Sequence, residues 1–265
     1  FNTIDAIIGT DIGNEQAAVV RAYAQGSTLT AAQAVSVKTY SKADIDATIL
    51  AAASTVGFSV KTDSSSDISV AAIVAMNKIS TAVDAHILNS DVTANSGNIT
   101  IKAEDESTID TDVEATSLSI GVHAGNNNAI SVGLSIARNE ISNNLEAYFD
   151  GDNTNLNSLT ATKGNVAVIA KENATIDATS TASAISVSVS LDRSKSVSGG
   201  GAVAVNQILG TSNAYIKDAN TTANKNGVIA DTGEIQISAD YLSGITANVA
   251  ATSVSGSLGL NGSAA

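Results

Sequence analysis

The sequence contains no cysteine, no proline and no tryptophan, and aromatic residues make up only 3% of its 265 residues. Without cysteine the chain has no disulfides, no thiolate metal site and no catalytic thiol. Because proline removes a hydrogen-bond donor from a β-ladder, its absence is typical of a chain that consists almost wholly of paired strands. The scarcity of aromatic residues predicts a narrow interior, filled by Ala, Val, Ile and small polar side chains.

Basic residues are also few. The chain has 13 Lys and Arg against 26 Asp and Glu, which gives a net charge of −13. Nucleic acid is therefore not an expected partner, because its phosphates require a basic surface. No apolar run approaches the length of about 18 residues that a membrane-spanning helix needs, so no membrane span is predicted. The excess of Thr, Ser, Val and Ile over helix-forming residues favours strands.

One phrase is present four times: an Asn, followed eight residues later by an Ala and then a ring. The copies are Asn14 with Ala22 and Tyr23, Asn77 with Ala85 and His86, Asn139 with Ala147 and Tyr148, and Asn206 with Ala214 and Tyr215. The four Asn residues are 63, 62 and 67 residues apart, which indicates a stack of similar units. We interpret residues 1–265 as one elongated repeat domain, with a partial module at 1–13 and modules at 14–76, 77–138, 139–205 and 206–265.

Each module contains alternating runs, such as Ile99-Thr100-Ile101 and Val187-Ser188-Val189, which predict about five or six short, half-buried strands. We predict an all-β fold, a parallel β-solenoid of about four modules. A module would divide into three coils of roughly 21 residues, giving about 12 coils and a rod about 55–60 Å long. The competing architecture is an extended stack of β-hairpins or a sandwich, in which residues 184–191 pair with residues 196–205.

The two ends of the sequence complement each other as repeats. The phrase at 256–263 stops within a module, and the phrase at 5–14 is the one that would follow it. Neither phrase is the atypical capping repeat that shields an open edge. We therefore expect self-association, either as a head-to-tail homopolymer or as part of a longer tandem array.

The repeated residues are predicted to serve the fold. We expect Asn14, Asn77, Asn139 and Asn206 to lie at one corner of a coil, where an Asn side chain binds the turn backbone. The rings Tyr23, His86, Tyr148 and Tyr215 occupy one equivalent position, so His86 is interpreted as a substitute ring. The other histidine, His123, lies in a different phrase, and two isolated histidines argue against a metal site or a catalytic triad.

Two acidic features remain. With three coils per module, Asp46, Asp110 and Asp177 would form a column about 14 Å apart, beyond the screening length of about 8–10 Å, and would belong to a solvated face. The segment 150–155 is a candidate Ca²⁺ loop, with Asp150 and Asp152 as ligands, because alternating oxygen ligands suit this ion. It lacks the bidentate Glu of a full loop, so a plain polar turn is the alternative. No other cofactor is predicted.

The phrase Ser198–Ile208, followed by Ala214-Tyr215-Ile216, resembles a repeat of very large secreted bacterial proteins, among them leukotoxin-like repeat proteins and giant filamentous surface adhesins. The resemblance covers the whole chain as a repeat and is best around Asn206. It is weakest around Asn14, where Gln16 replaces the usual Ile. The resemblance implies a secreted or surface-exposed β-rich rod and carries over no catalytic residue.

We therefore predict a structural protein and not an enzyme: a building block of a rod or filament, extracellular or on the cell surface, that assembles by stacking of β-ladders. The alternative is an adhesin segment, whose variable loops at 89–97, 150–158 and 218–233 bind a host or carbohydrate surface. A carbohydrate-cleaving β-helix would need clustered carboxylates with basic and aromatic partners on one face, and the sequence shows no such cluster.

Overall fold

A computed structural model describes residues 16–61, 63–152, 157–220 and 227–264. These residues form β-strands and no helix, and hence no helix long and apolar enough to cross a membrane. The strands are β1 (Ala18–Gln25), β2 (Thr28–Ala31), β3 (Val35–Ser41), β4 (Asp44–Ser59), β5 (Ser65–Leu88), β6 (Asp91–Ala94), β7 (Ile99–His123), β8 (Asn127–Asp150), β9 (Leu159–Ala161), β10 (Val166–Ser190), β11 (Arg193–Lys217), β12 (Val228–Ala230), β13 (Ile235–Gly259) and β14 (Gly262–Ala264).

The strands form three stacked sheets, and every pairing between them is parallel. The front sheet has the order β1-β5-β8-β11-β14. The back sheet has the order β13-β10-β7-β3, with β4 also paired to β7, and the narrow side sheet has the order β12-β9-β6-β2. The chain passes from front to side to back and then returns to the front. This path is a parallel β-solenoid, and the predicted fold class is confirmed.

One coil of the solenoid contains about 62–67 residues. Asn77 in β5 lies beside Asn139 in β8, and Asn139 lies beside Asn206 in β11. The prediction of three coils of about 21 residues per module is therefore wrong, and so are the count of about 12 coils and the rod length of about 55–60 Å. Each coil has two long strands and one short strand, not five or six short ones.

Glycine- and serine-rich stretches account for much of this difference. The stretch Ser198–Gly201 indicates a turn in the sequence, but in the structure it continues β11 without a break. A Cβ at Gly200 would lie 2.7 Å from the carbonyl oxygen of Thr252 in the opposite sheet, so the glycine permits a close approach of two strands. Residues 198–201, whose composition is typical of a turn, are here an extended strand segment in close contact with the opposite sheet.

The long strands determine the shape of the coil. β7, β10, β11 and β13 have 25 residues each, a length of about 80 Å at 3.3 Å per residue. Each added coil extends the stack by only about 4.8 Å. The long dimension of a coil therefore runs along its strands, perpendicular to the solenoid axis.

The hairpin alternative also fails. Residues 184–191 and 196–205 belong to β10 and β11, which lie in different sheets and share no ladder. They face each other across the interior, where the hydroxyls of Ser186 and Ser196 are 2.6 Å apart. The two segments form an arch between sheets instead of a hairpin within one sheet.

The corner between the front and side sheets is made by a different residue from the one expected. Asn89 and Asp218, directly after β5 and β11, have φ values of 47° and 52°, and Gly26 after β1 has 59°. Asn, Asp and Gly are the residues that tolerate this left-handed geometry. The repeated Asn77, Asn139 and Asn206 lie in the middle of long front strands instead.

The row of Asn77, Asn139 and Asn206 divides each coil into two parts. The base half lies between this row and the side sheet, and comprises residues 77–88, 139–150 and 206–217 in front and 99–111, 166–178 and 235–247 behind. The arch half lies on the other side, and comprises residues 65–76, 127–138 and 194–205 in front and 48–59, 112–123, 179–190 and 248–259 behind. Short arches, such as residues 191–192 between β10 and β11, close this end.

The base half has an ordinary apolar core. Its fully buried side chains include Phe149, Ile87, Leu145, Ile99 and Ile101, together with the Val and Ala residues of the side-sheet end. A second layer near the Asn row contains Ile79, Ile109, Ile141 and Ile176. Burying an apolar side chain of this size contributes about 1.5–3 kcal/mol, so this half holds most of the apolar stabilisation of the described solenoid.

The arch half has the reverse pattern. Its inward positions are mostly Ser, Ala and Gly, and the serine hydroxyls pair across the interior, as in Ser117 with Ser131 at 2.6 Å and Ser135 with Ser180 at 2.8 Å. Val, Ile and Leu occupy most outward positions of the front sheet and of the arch end of the back sheet, whereas Thr, Ser, Asp and Glu occupy the outward back-sheet positions nearer the Asn row. We call the outward side chains at 68–74, 130–136 and 197–205 of the front sheet the front patch; Ile68, Val70, Leu134 and Val205 are exposed members of it.

Candidate functional site

The four repeated rings form one continuous stack on the outer surface of the front sheet. Centroid distances are 5.3 Å for Tyr23–His86, 4.8 Å for His86–Tyr148 and 4.9 Å for Tyr148–Tyr215, with interplanar angles of 14°, 11° and 6°. The parallel register places these residues side by side in successive coils. Ring contacts therefore follow the coil repeat from β1 to β11.

The contacts and protonation of these rings indicate a structural role. His86 Nδ1 is 2.7 Å from Asp84 Oδ1, and the other carboxylate oxygen of Asp84 is 3.0 Å from Arg21 Nε. Burial raises the pKa of Tyr148 to about 12, and burial also raises the pKa of Tyr215, so neither phenol gives up its proton near neutral pH. His86 occupies a ring position of the stack and has Asp84 as its carboxylate partner.

The Asn residues form a ladder of side-chain amides. Asn77 Nδ2 donates to Asn139 Oδ1 at 2.9 Å, and Asn139 Nδ2 donates to Asn206 Oδ1 at 2.8 Å. Thr111 of the back sheet joins the ladder, accepting from Asn77 and donating to Asn139. The expected bond from Asn to a turn backbone is replaced by bonds between coils, at about 1 kcal/mol each. Asn14 lies outside the described residues.

Two buried carboxylates lie side by side in the interior of the base half. Asp105 and Glu172 occupy adjacent register positions of the back sheet, and both are fully buried. Asp105 accepts hydrogen bonds from Ser107 at 2.6 Å and from Asn143 at 2.7 Å. Among the described residues neither oxygen of Glu172 has a hydrogen-bond partner. Burial, followed by the Asp105 charge, raises the pKa of Glu172 to about 7.

The position of Glu172 could have been found from the alternation of its strand. Val166, Val168 and Ala170 point inward, and counting by twos puts Glu172 on the same face. Gly210 on the front sheet leaves the room it needs, since a Cβ there would lie 2.6 Å from Glu172 Oε1. We did not predict this pair, because alternation alone does not show whether the opposite sheet leaves room for a charged side chain on the inner face.

A third polar group lies at the arch. Ser65 Oγ is 2.5 Å from His123 Nε2, and Asp67 Oδ2 is 3.7 Å from His123 Nδ1, so the histidine is less isolated than its sequence context suggested. The group sits inside the fold: His123 and Asp67 are buried, and the Ser65 N–H donates to the Asn126 carbonyl. Ser65 and His123 belong to adjacent coils, so we interpret the group as a contact between coils.

The Ca²⁺ candidate is only partly within the described structure. The Asp150 carboxylate is 3.4 Å from Lys217 Nζ, which already supplies a positive partner. The carbonyl of Asp152 accepts from Asn157 at 3.4 Å, whereas Asn153, Thr154 and Asn155 lie outside the described residues. Within the part of the chain that the structure describes, no three His, Cys, Asp or Glu residues are grouped to hold a metal ion. Calcium binding stays a prediction.

The column of Asp46, Asp110 and Asp177 is much tighter than expected. These residues are direct register partners in β4, β7 and β10, which places them about 4.8 Å apart along the stack instead of about 14 Å. All three are exposed, as predicted. The spacing was wrong because it assumed three coils per module, and the close carboxylates repel each other across adjacent strands.

Comparisons with family models, with curated proteins and with solved structures gave no match to this chain. The resemblance to repeats of giant secreted bacterial proteins therefore stays an expectation from the sequence.

Proposed function

We propose that this chain is a structural building block of an extracellular rod or filament, which grows by stacking further coils on the open edges of its parallel β-ladders. The observation that carries the proposal is the continuity of register. Rings and amides of successive coils line up in the same order from coil to coil. Such a stack can be extended by an identical coil without any new kind of contact.

The terminal back strand, β13, supplies the surface for this extension. It pairs with β10 on one side, and among the described residues it has no ladder partner on the other. Its inward side chains are uncovered: Ile245 is 49% exposed, whereas Ile109 and Ile176 of the same column are 0% and 1% exposed. A further coil would bury Ile245 and its neighbours and pair the free backbone groups.

Charged side chains on the outer faces of the base half also bridge coils. Lys78 Nζ is 3.2 Å from Glu140 Oε1, and Lys171 Nζ is 3.5 Å from Glu104 Oε1, each pair joining adjacent coils. Exposed pairs of this kind contribute little each, about 0–1 kcal/mol, but their repetition favours one register over others. Ser, Thr and Asp elsewhere on this half keep the rod soluble. The extracellular location comes from the sequence resemblance.

The test places a charge where only a stacked coil would bury it. Ile245→Lys leaves the isolated chain folded, because the side chain is half exposed, but a coil added on β13 would enclose the ammonium group. Thr246→Lys adds the same charge to the outer face of the next residue and is the matched control. In electron micrographs we expect filaments from the natural chain and from Thr246→Lys, and only short particles from Ile245→Lys. Equal filament lengths for the two variants would refute stacking on β13.

A second candidate function, adhesion, is favoured by one observation. The described residues of segments 89–97, 150–158 and 218–233 follow β5, β8 and β11 and include the side strands β6 and β12, so they lie at the side-sheet end of the coil. Variable loops gathered at one edge are a common arrangement for binding surfaces. Exchanging residues 89–97 for those of another module and measuring binding to a panel of immobilised glycans tests this candidate. Unchanged or absent binding would exclude it for this loop.

A further inference from the structure

The arch half exposes an apolar surface that its own fold does not cover. In the front sheet Ile68 and Val70 are 56% and 58% exposed, and Val205 is 50% exposed. The register aligns Ile68, Ile130 and Val197 in one row across three strands, so the apolar side chains are contiguous. Contiguous apolar patches of several hundred Å² on a soluble protein mark binding surfaces.

The interior of the same half cannot compensate for this exposure. Ser131, Ser135 and Ser196 are fully buried there and are used for hydrogen bonds between the sheets. Buried hydroxyls that are hydrogen-bonded are tolerated, but they contribute no hydrophobic stabilisation. Apart from the small inner cluster around Ile73 and Val113, the large apolar side chains of this half therefore lie mostly where only an external partner buries them.

A second copy of this chain carries the same net charge of −13, which would repel it, but the charges near the front patch do not oppose its approach. At the base-half border of the patch Arg138 and Lys78 lie 3.5 Å and 3.2 Å from the two carboxylate oxygens of Glu140, so these charges are paired within the chain, and at the arch-end border the outward charge is that of Lys195. The outer back sheet differs, because its apolar end is followed by Glu114, Asp112 and Asp110. Two back sheets would bring these carboxylates together, whereas two front sheets would not.

We infer that the front patch binds the front patch of a second copy of this chain, so that two solenoids pack face to face through their arch halves. Flat sheets pack at about 10 Å with side chains interdigitated, and Val, Ile and Leu on both faces suit such a contact. This lateral contact is distinct from the coil stacking proposed above. It uses the face of the sheet and leaves the edges free.

The area of the patch sets the strength of the contact. It covers about seven to nine residues on each of three strands, or about 25 Å by 14 Å, which is about 350 Å² on each copy. A standard stable interface buries about 800 Å² per partner. Pairing of single chains is therefore weak, and each added coil contributes about 120 Å² more. A stack of about seven coils would reach the standard size.

Lipid is a less suitable occupant. β13 and most of β11 have open edges among the described residues, since β14 covers only Arg193–Lys195 of β11. Immersing the arch half in hydrocarbon would bury these unpaired backbone groups at several kcal/mol each. Packing against another sheet face leaves the same edges in water.

The experiment uses the full chain carrying Ile245→Lys, so that stacking on β13 does not contribute. To this background we add Val132→Lys with Leu134→Lys in the front patch, or Ser142→Lys with Asn144→Lys on the outer face of the base half of the same strand. Sedimentation equilibrium up to about 1 mM measures the dimer dissociation constant. We expect the patch variant to dimerise at least about tenfold more weakly than the background, and the control within about twofold of it.

Circular dichroism verifies that both variants fold. The inference is overturned if the background stays monomeric over the whole range, or if the patch variant and the control dimerise equally. It is also overturned if the background floats with phosphatidylcholine vesicles and the patch variant does not. Failure of Ile245→Lys to shorten filaments would count against coil stacking alone, because the patch comparison is made within one background.

Discussion

Between the side sheet and the Asn row, the coil buries Ile, Leu and Phe and keeps Lys, Asp and Glu outside. Beyond that row the same strands turn mostly Ser, Ala and Gly inward, and the front sheet and the arch end of the back sheet turn Val, Ile and Leu outward. The backbone is continuous across the row, and β7, β8 and β10 cross it without a bulge or break. The two halves therefore share one fold but differ in what stabilises it.

In the base half stability comes mainly from apolar burial. In the arch half a small apolar cluster around Ile73 and Val113 is supplemented by backbone pairing, hydroxyl hydrogen bonds and a close approach of the sheets. Gly133 illustrates the approach, since a Cβ there would lie 2.7 Å from the Ser183 carbonyl oxygen. An alternating pattern in a long strand therefore does not by itself mean that the inward face forms a hydrophobic core. Truncating a buried side chain should destabilise the base half most, whereas enlarging an inward side chain should destabilise the arch half, where the sheets are close.

The largest expected effect is a truncation in the base half. Phe149 is fully buried in the apolar cluster, and Phe149→Ala should lower the free energy of unfolding by about 4 kcal/mol through lost burial and a residual cavity. Guanidinium titration followed by circular dichroism measures the change. Val132→Ala, on the outer face of the arch half, is the comparison and should cost less than about 1 kcal/mol. Similar losses for both would remove the distinction between the halves.

The next effect is the pH dependence of the free energy of unfolding that comes from Glu172, buried inside the base half. Burial raises the pKa of Glu172 from its ordinary 4.5 to about 7, so the native state holds a proton that the unfolded chain releases. This contribution is fully present below pH 4.5 and is lost as pH rises through about 7, a change of about 3 kcal/mol. Glu172→Gln should remove it. Parallel stability curves for the two proteins between pH 4.5 and 7.5 would contradict the assignment.

The smallest effect is an enlargement in the arch half. Gly133→Val forces a side chain against the backbone of the opposite sheet and should cost about 2 kcal/mol. Gly199 lies in the adjacent coil with open space around its Cβ position, and Gly199→Val should be neutral or slightly stabilising. Thermal melts of the two variants give the answer. If Gly133→Val and Gly199→Val have the same melting temperature, the sheets of the arch half are not in close contact.

The alternating runs were enough to predict strands and the all-β solenoid, because a period of two has one structural meaning over many residues. The repeated phrase was enough to predict which residues are equivalent. Asn77, Asn139 and Asn206 do become register partners. Both inferences depend only on local pattern and on repetition, which a single sequence contains.

The length of the coil could not be obtained in this way. A repeat of 62–67 residues is equally consistent with one coil per module and with several. Only the close approach of Gly133 and Gly200 to the backbone of the opposite sheet shows that these glycine-rich stretches are not turns. The Asp105–Glu172 pair was missed for a related reason. Whether a charged residue in an alternating run faces inward depends on its partner in the other sheet, here Gly210.

The uninterrupted length of β7, β8 and β10 has a consequence for how such a chain can change. A single inserted residue in the middle of a 25-residue strand would exchange the inner and outer faces of everything beyond it, placing Val inside the arch half and Ser outside. Insertions are harmless only at the corners, where the 62- and 67-residue repeats already differ. A gene for this protein can therefore gain or lose whole coils far more safely than single codons, so the dimension free to vary is the length along the axis.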